Sequence, residues 1–174
     1  MFKSRPLLSE AQIKERIEEL ANAINQEYQG RTVEVVCILK GSFIFAADLI
    51  RRFTFPLRLH FMQVRSYTTG TESSGTVHLH FTSSFEVENC EILLLEDIVD
   101  TGITLQYVQE HLKQNGVRGL KICVLLDKPS RRKVDLRPDY TGFEIEDQFV
   151  VGYGLDFNEF GRNMPYVAVL EEKI

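Results

Sequence analysis

Apolar residues follow two rhythms along this chain. From Ile13 through Ile17, Leu20, Ala21 and Ile24 they recur at helical spacing, behind Ser9-Glu-Ala-Gln12, a capping box with Ser9 at the N-cap. The pattern predicts an amphipathic helix to about Tyr28, ended by Gln29-Gly30. Continuous apolar, β-branched runs then predict buried strands at Val33–Leu39, at Ile92–Leu95 and at Gly119–Leu126. Looser alternation predicts strands at Leu57–Val64, with Pro56 at its start, and at Thr76–Phe81. Phe43 to Arg52 reads as a helix. So does the segment in which Leu105, Val108 and Leu112 share a face before Asn115-Gly116. Tyr166–Leu170 reads as a closing strand. Arg65 to Gly75, rich in Ser and Thr and holding two glycines, reads as a loop.

Strands that alternate with helices predict an α/β fold with a mostly parallel central sheet and ligand loops at the strands' carboxyl ends. A length of 174 residues fits one domain. The formal net charge of −5 argues against nucleic acid as a partner. No apolar run is long enough to span a membrane, and the first residues lack a signal-peptide pattern, so a cytoplasmic protein is expected. Cys37, Cys90 and Cys123 fit no zinc spacing and read as reduced thiols. His78 and His80 share one strand face, without a third ligand to make a metal site.

The chemistry concentrates after the buried strand Ile92–Leu95, in Glu96-Asp97-Ile-Val-Asp100-Thr101-Gly102-Ile103-Thr104. A strand that feeds a tight loop and a helix N-terminus presents backbone N–H groups and a positive dipole end to a phosphate. Gly102 permits close approach, and the Thr101 and Thr104 hydroxyls donate to phosphate oxygens. The adjacent acids suit ribose hydroxyls or a divalent cation.

This stretch resembles the signature of the type I phosphoribosyltransferases, which use phosphoribosyl pyrophosphate (PRPP). Phe149-Val150-Val-Gly-Tyr-Gly-Leu-Asp156 is a second match, to the hypoxanthine-guanine branch of that family. The resemblance runs from Val33 to Leu170. It implies the family's fold, with a small hood over the base built from the chain ends, and a homodimer or homotetramer.

The resemblance also assigns roles. Glu96 and Asp97 grip the ribose hydroxyls, and the loop Asp100–Thr104 holds the 5′-phosphate. Ile103 contributes only backbone there, where some members carry a lysine. Lys40, Gly41 and Arg162 bind pyrophosphate, and the Lys40–Gly41 peptide bond is a candidate for the cis form. Ser66 and Tyr67 belong to a lid. Lys128 donates to the purine O6 atom, which favours 6-oxopurines over adenine. Phe149 stacks on the base, and Val150 offers backbone groups to its edge. Asp156 lies near the purine C2 edge and joins Glu96 and Asp97 in holding Mg2+. Asp100 is the general base for the purine N7 proton.

The implied reaction joins hypoxanthine or guanine to PRPP, yielding IMP or GMP and pyrophosphate in purine salvage. A xanthine-preferring transferase is one rival. The other is a regulator on the same fold that binds nucleic acid through Arg131, Arg132 and Lys133.

Overall fold

The computed structural model describes the backbone of residues 2–69, 72–81 and 85–173 and the side chains of residues 2–64 and 85–171. In chain order the elements are β1 (Phe2–Leu8), α1 (Glu10–Glu27), β2 (Val33–Leu39), α2 (Phe43–Ile50), β3 (Leu57–Thr69) and β4 (Glu72–Phe81). There follow β5 (Glu91–Val99), α3 (Ile103–Gln114), β6 (Gly119–Asp127), β7 (Tyr140–Glu144), β8 (Val150–Val151) and β9 (Val167–Lys173). The capping box forms as expected: the Gln12 amide donates to Ser9 Oγ at 3.3 Å, and the Ser9 amide to Gln12 Oε1 at 2.9 Å.

The main sheet has the order β4-β3-β2-β5-β6-β7. Every pairing in it is parallel except that of β3 with β4. Strand side chains alternate between two cores. Val35, Cys37, Leu93 and Leu95 pack with the buried faces of α1 and α2, while Val36, Ile38, Ile92 and Leu94 pack with Leu105, Val108 and Leu112 of α3. A second, antiparallel sheet of order β1-β9-β8 draws strands from both ends of the chain. Among the described residues no helix is long and apolar enough to cross a membrane.

Four sequence expectations change. β5 does not stop at Leu95 but continues through both acids to Val99, because Ile98 and Val99 pair with Leu126 and Asp127 of β6. The hydroxyl-rich segment is mostly strand. β3 runs to Thr69, and β4 returns from Glu72 with Ser66 opposite Val77 and Thr68 opposite Ser73. Threonine and tyrosine suit extended backbone, and cross-strand pairing outweighs the local turn signal. β1 and β7 were not legible. Pro6 and three charged or polar neighbours mask the first. β7 is a five-residue edge strand whose Thr141 and Gly142 carbonyls accept from the Arg16 guanidinium at 2.8 and 2.7 Å. The side chains of Ser66, Tyr67, His78 and His80 lie outside the described residues.

Glu34, only 3% exposed, sits at the start of β2. It accepts from Arg58 Nε at 2.9 Å and faces His60 Nε2 at 2.8 Å. Burial pushes this carboxyl up, and the hydrogen bonds from Arg58 and His60 more than reverse that, leaving it below the usual range. A folded-state pKa below the unfolded one gives stability that is complete above the unfolded value near ~4.3 and is lost as pH falls through the folded value. Glu34→Gln is therefore expected to cost about 1–3 kcal/mol at pH 7. The gap should close toward pH 3. Urea unfolding at both pH values tests this, and a gap unchanged by acid would remove the ion pair from the account.

Candidate active site

The loops that leave β2, β5 and β6 emerge along one edge of the main sheet, and cross-links hold them together. The Lys128 amide donates to Val99 O at 2.9 Å, and the Lys133 amide to Thr101 O at 2.9 Å. Arg132 Nη1 donates to Asp100 O at 3.0 Å, while its other terminal nitrogen pairs with Asp127. The loop after β6 thereby buttresses the loop after β5.

The β5 loop is shaped for an anion. Gly102 caps α3 with φ +81°, a left-handed conformation that favours glycine. A Cβ there would also come within 2.9 Å of Arg132 Cδ and Val134 Cγ2. The first-turn N–H groups of α3 find no acceptor within the helix. They open on a cleft of about 130 Å³ lined in part by Glu96, Asp100, Thr101, Gly102 and Thr104. The Ile103 side chain is 49% exposed.

Glu96 and Asp97 interrupt the strand that carries them. Before them Ile92 and Leu94 lie in the α3 core; after them Ile98 packs against the opposite core and Val99 lies in the α3 core. The alternation thus changes phase across the two acids. Their neighbouring amides turn to side-chain oxygens, Asp97 N to Glu96 Oε1 at 3.2 Å and Ile98 N to Asp97 Oδ1 at 2.7 Å. Burial pushes the Glu96 carboxyl well above the usual range, and the Asp97 charge adds to the effect. Burial raises Asp97 as well, against the opposing hydrogen bond from Glu96. Two half-buried acids in contact disfavour double ionisation. Ribose hydroxyls or a divalent cation would relieve that.

Lys40, Gly41 and Arg162, to which the resemblance gives the pyrophosphate, lie near this pair. The cis peptide bond is Leu39–Lys40, one bond earlier than the resemblance suggested. Gly41 lies against Asp97 so closely that a Cβ would sit 1.5 Å from Oδ2, and a Cβ on Gly154 would sit 1.9 Å from Gly41 O. The Lys40–Gly41 loop is therefore clamped between β5 and the segment that carries Asp156. Arg162 donates to Gly154 O at 2.9 Å and pairs with Asp156 Oδ1 at 2.7 Å. Asp156 faces Arg162 rather than Glu96 and Asp97. Among the described residues, no three His, Cys, Asp or Glu side chains converge on one metal position. Mg2+ takes one or two carboxylates and fills its other positions with water and substrate phosphates, so separate carboxylates still suit it.

Asp100 Oδ1 accepts from Arg131 Nε at 2.9 Å, and Arg131 Nη1 lies 3.4 Å from Asp147 Oδ2. Lys128 is 6% exposed, and its ammonium has no partner among the described residues. Phe149 is 53% exposed and meets Phe157 edge to face at 5.9 Å, leaving its ring available to a flat ligand. Val150 is buried in β8, opposite Val169.

Sequence reading missed Glu159, whose Oε2 lies 3.0 Å from Lys40 Nζ and 3.3 Å from Arg162 Nη2. No spacing rule links it to a lysine 119 positions away. It also missed the pairing of Arg131 with Asp100, since a run of basic residues carries no sign of its acidic partner.

The family model described as a phosphoribosyl transferase domain matches residues 6–158. A hypoxanthine-guanine phosphoribosyltransferase of Aquifex aeolicus is 46% identical over 171 residues, covering 98% of this chain and 96% of that protein. A crystal structure of a Staphylococcus aureus hypoxanthine phosphoribosyltransferase superposes with a TM-score of 0.90 at 45% identity, covering 98% of this chain and 92% of that one. A Bacillus anthracis hypoxanthine-guanine phosphoribosyltransferase superposes with a TM-score of 0.91 at 41% identity, covering 98% and 100%. With the Asp100–Thr104 loop, the paired acids and the clamped Lys40–Gly41 loop on one sheet edge, the chain belongs to the phosphoribosyltransferase family.

Proposed function

We propose that this enzyme transfers the 5-phosphoribosyl group of PRPP to N9 of hypoxanthine or guanine in purine salvage, releasing pyrophosphate and forming IMP or GMP. The observation that carries the choice of base is Lys128, a residue only 6% exposed whose ammonium has no partner among the described residues, at the end of β6 beside the Asp100–Thr104 loop. Such a group needs an acceptor, which the O6 atom of a 6-oxopurine provides and the amino group of adenine does not. The names of the relatives support the same base class.

The α3 N-terminus and the loop Asp100–Thr104 hold the 5′-phosphate, and Glu96 and Asp97 take the ribose hydroxyls. Lys40, the Gly41 backbone and Arg162 hold the pyrophosphate. The C1′–O bond to pyrophosphate breaks as the C1′–N9 bond forms, through an oxocarbenium-like centre that in-line positioning serves better than a covalent nucleophile. Asp100 accepts the N7 proton of the base. Mg2+ would be held by Glu96 and Asp97 on one side or by Asp156 on the other, together with water and substrate phosphates, and would supply charge neutralisation for the leaving pyrophosphate.

The β1-β9-β8 sheet forms the hood over the base, within a single domain spanning 1–174. The Ser66–Tyr67 segment closes over the site as a lid that keeps water from C1′. The enzyme works in the cytoplasm as a homodimer or homotetramer. Arg131 and Arg132 are engaged by Asp100, Asp147 and Asp127, which speaks against a basic face for nucleic acid.

The test is an assay with PRPP, Mg2+ and each of hypoxanthine, guanine, xanthine and adenine. Turnover of hypoxanthine or guanine is expected, lost without Mg2+ or PRPP, with adenine at least about 100-fold poorer in kcat/KM. No turnover of any base with PRPP still bound would move the protein to the regulator class.

A further inference from the structure

We propose that Glu159 is a built-in stand-in for pyrophosphate, a carboxylate that fills the anion position in the free enzyme and that pyrophosphate must expel. The inference rests on the reading of Lys40 and Arg162 as pyrophosphate ligands. A single oxygen, Glu159 Oε2, lies 3.0 Å from Lys40 Nζ and 3.3 Å from Arg162 Nη2. These two cations come from loops far apart in sequence, and the one oxygen between them occupies the place of a bridging phosphate oxygen. Lys40 has no other ion-pair partner among the described residues, so without Glu159 its ammonium would stand free at the clamp. Arg162 keeps its contacts to Asp156 and Gly154 when Glu159 leaves, so the guanidinium stays in place for the ligand.

The backbone is bent to make this contact. Phe157 and Phe160 exchange hydrogen bonds of 2.9 and 3.1 Å, closing a two-residue turn. Its central residues, Asn158 and Glu159, have φ values of +52° and +68°. Such a turn takes asparagine readily at its first central position and strongly favours glycine at its second. A glutamate there is strained, and the Glu159 amide is tied to Asp156 Oδ2 at 2.8 Å. The turn therefore carries a carboxylate where glycine would fold better, and it aims that carboxylate at two cations.

Pyrophosphate binding then costs the two ion pairs that Glu159 makes, and the returning carboxylate helps to release the product. Calorimetric titration of the full chain with pyrophosphate in excess MgCl2 tests the idea. Glu159→Gln is expected to bind pyrophosphate about threefold to tenfold more tightly, the ratio that two exposed ion pairs of ordinary strength would yield. IMP binding should be unchanged. Glu159→Gly should show the same gain together with a melting temperature about 2–4 °C higher, from relief of the turn. Lys40→Ala should lose pyrophosphate affinity. Unchanged or weaker pyrophosphate binding by Glu159→Gln, alongside a loss in Lys40→Ala, would overturn the stand-in role and leave the pyrophosphate site standing. No change in either variant would overturn both.

Discussion

Asp100→Asn is expected to lower kcat by about 10²- to 10⁴-fold, the range for losing a positioned general base. The substitution is nearly isosteric. The main-chain carbonyl of residue 100 still accepts from Arg132 Nη1, as it does at 3.0 Å, so the phosphate loop keeps its buttress. An amide oxygen can also still accept from Arg131 Nε, which lies 2.9 Å from Oδ1. What the variant lacks is a site basic enough to take the N7 proton as the bond to N9 forms. Binding of PRPP and of IMP should therefore stay within about threefold of the parent, a ratio worth less than ~1 kcal/mol. Single-turnover rates with hypoxanthine, measured beside those equilibrium affinities, separate the two effects. A variant that reacts at nearly the parental rate would show that the proton leaves by another route.

The second large effect is expected at Lys128. Lys128→Ala should lower kcat/KM for hypoxanthine and guanine by about 10- to 100-fold, the worth of a charged hydrogen bond of about 1.5–3 kcal/mol. Adenine, which offers a donor where the oxopurines offer an acceptor, should change little, so discrimination between base classes shrinks. The free protein should lose little stability, because the Lys128 ammonium has no hydrogen bond or ion pair among the described residues for the change to break. Steady-state kinetics with both base classes, together with a thermal melt, check all three statements. Equal losses for adenine and hypoxanthine, or a marked fall in melting temperature, would make Lys128 a structural residue.

Local chemistry accounts for the parts of this protein that could be read along the chain. The Ser9–Gln12 box, the buried stripe of α1 and the apolar runs of β2, β5 and β6 follow from nearest-neighbour geometry and periodicity. The phosphate loop belongs here too, because Gly102 and the α3 N-terminus are neighbours in sequence as well as in space. These elements place Lys40, Asp100 and Lys128 at strand carboxyl ends, and the parallel order of the sheet brings the three together.

Contacts between distant segments settled the rest. β5 runs past Glu96 and Asp97 because β6 pairs with it there, and the two acids meet because the strand's alternation slips between them. Residues 65–69 and 72–75 are strand rather than loop because two polar stretches pair with each other. β1 finds its place only beside β9, from the other end of the chain. The charge partners at the site are of the same kind. Arg131 reaches Asp100 across 31 positions and Lys40 reaches Glu159 across 119. A charged side chain in sequence declares its sign but not its partner. The partner depends on which loops the folded sheet sets within a few ångströms of each other.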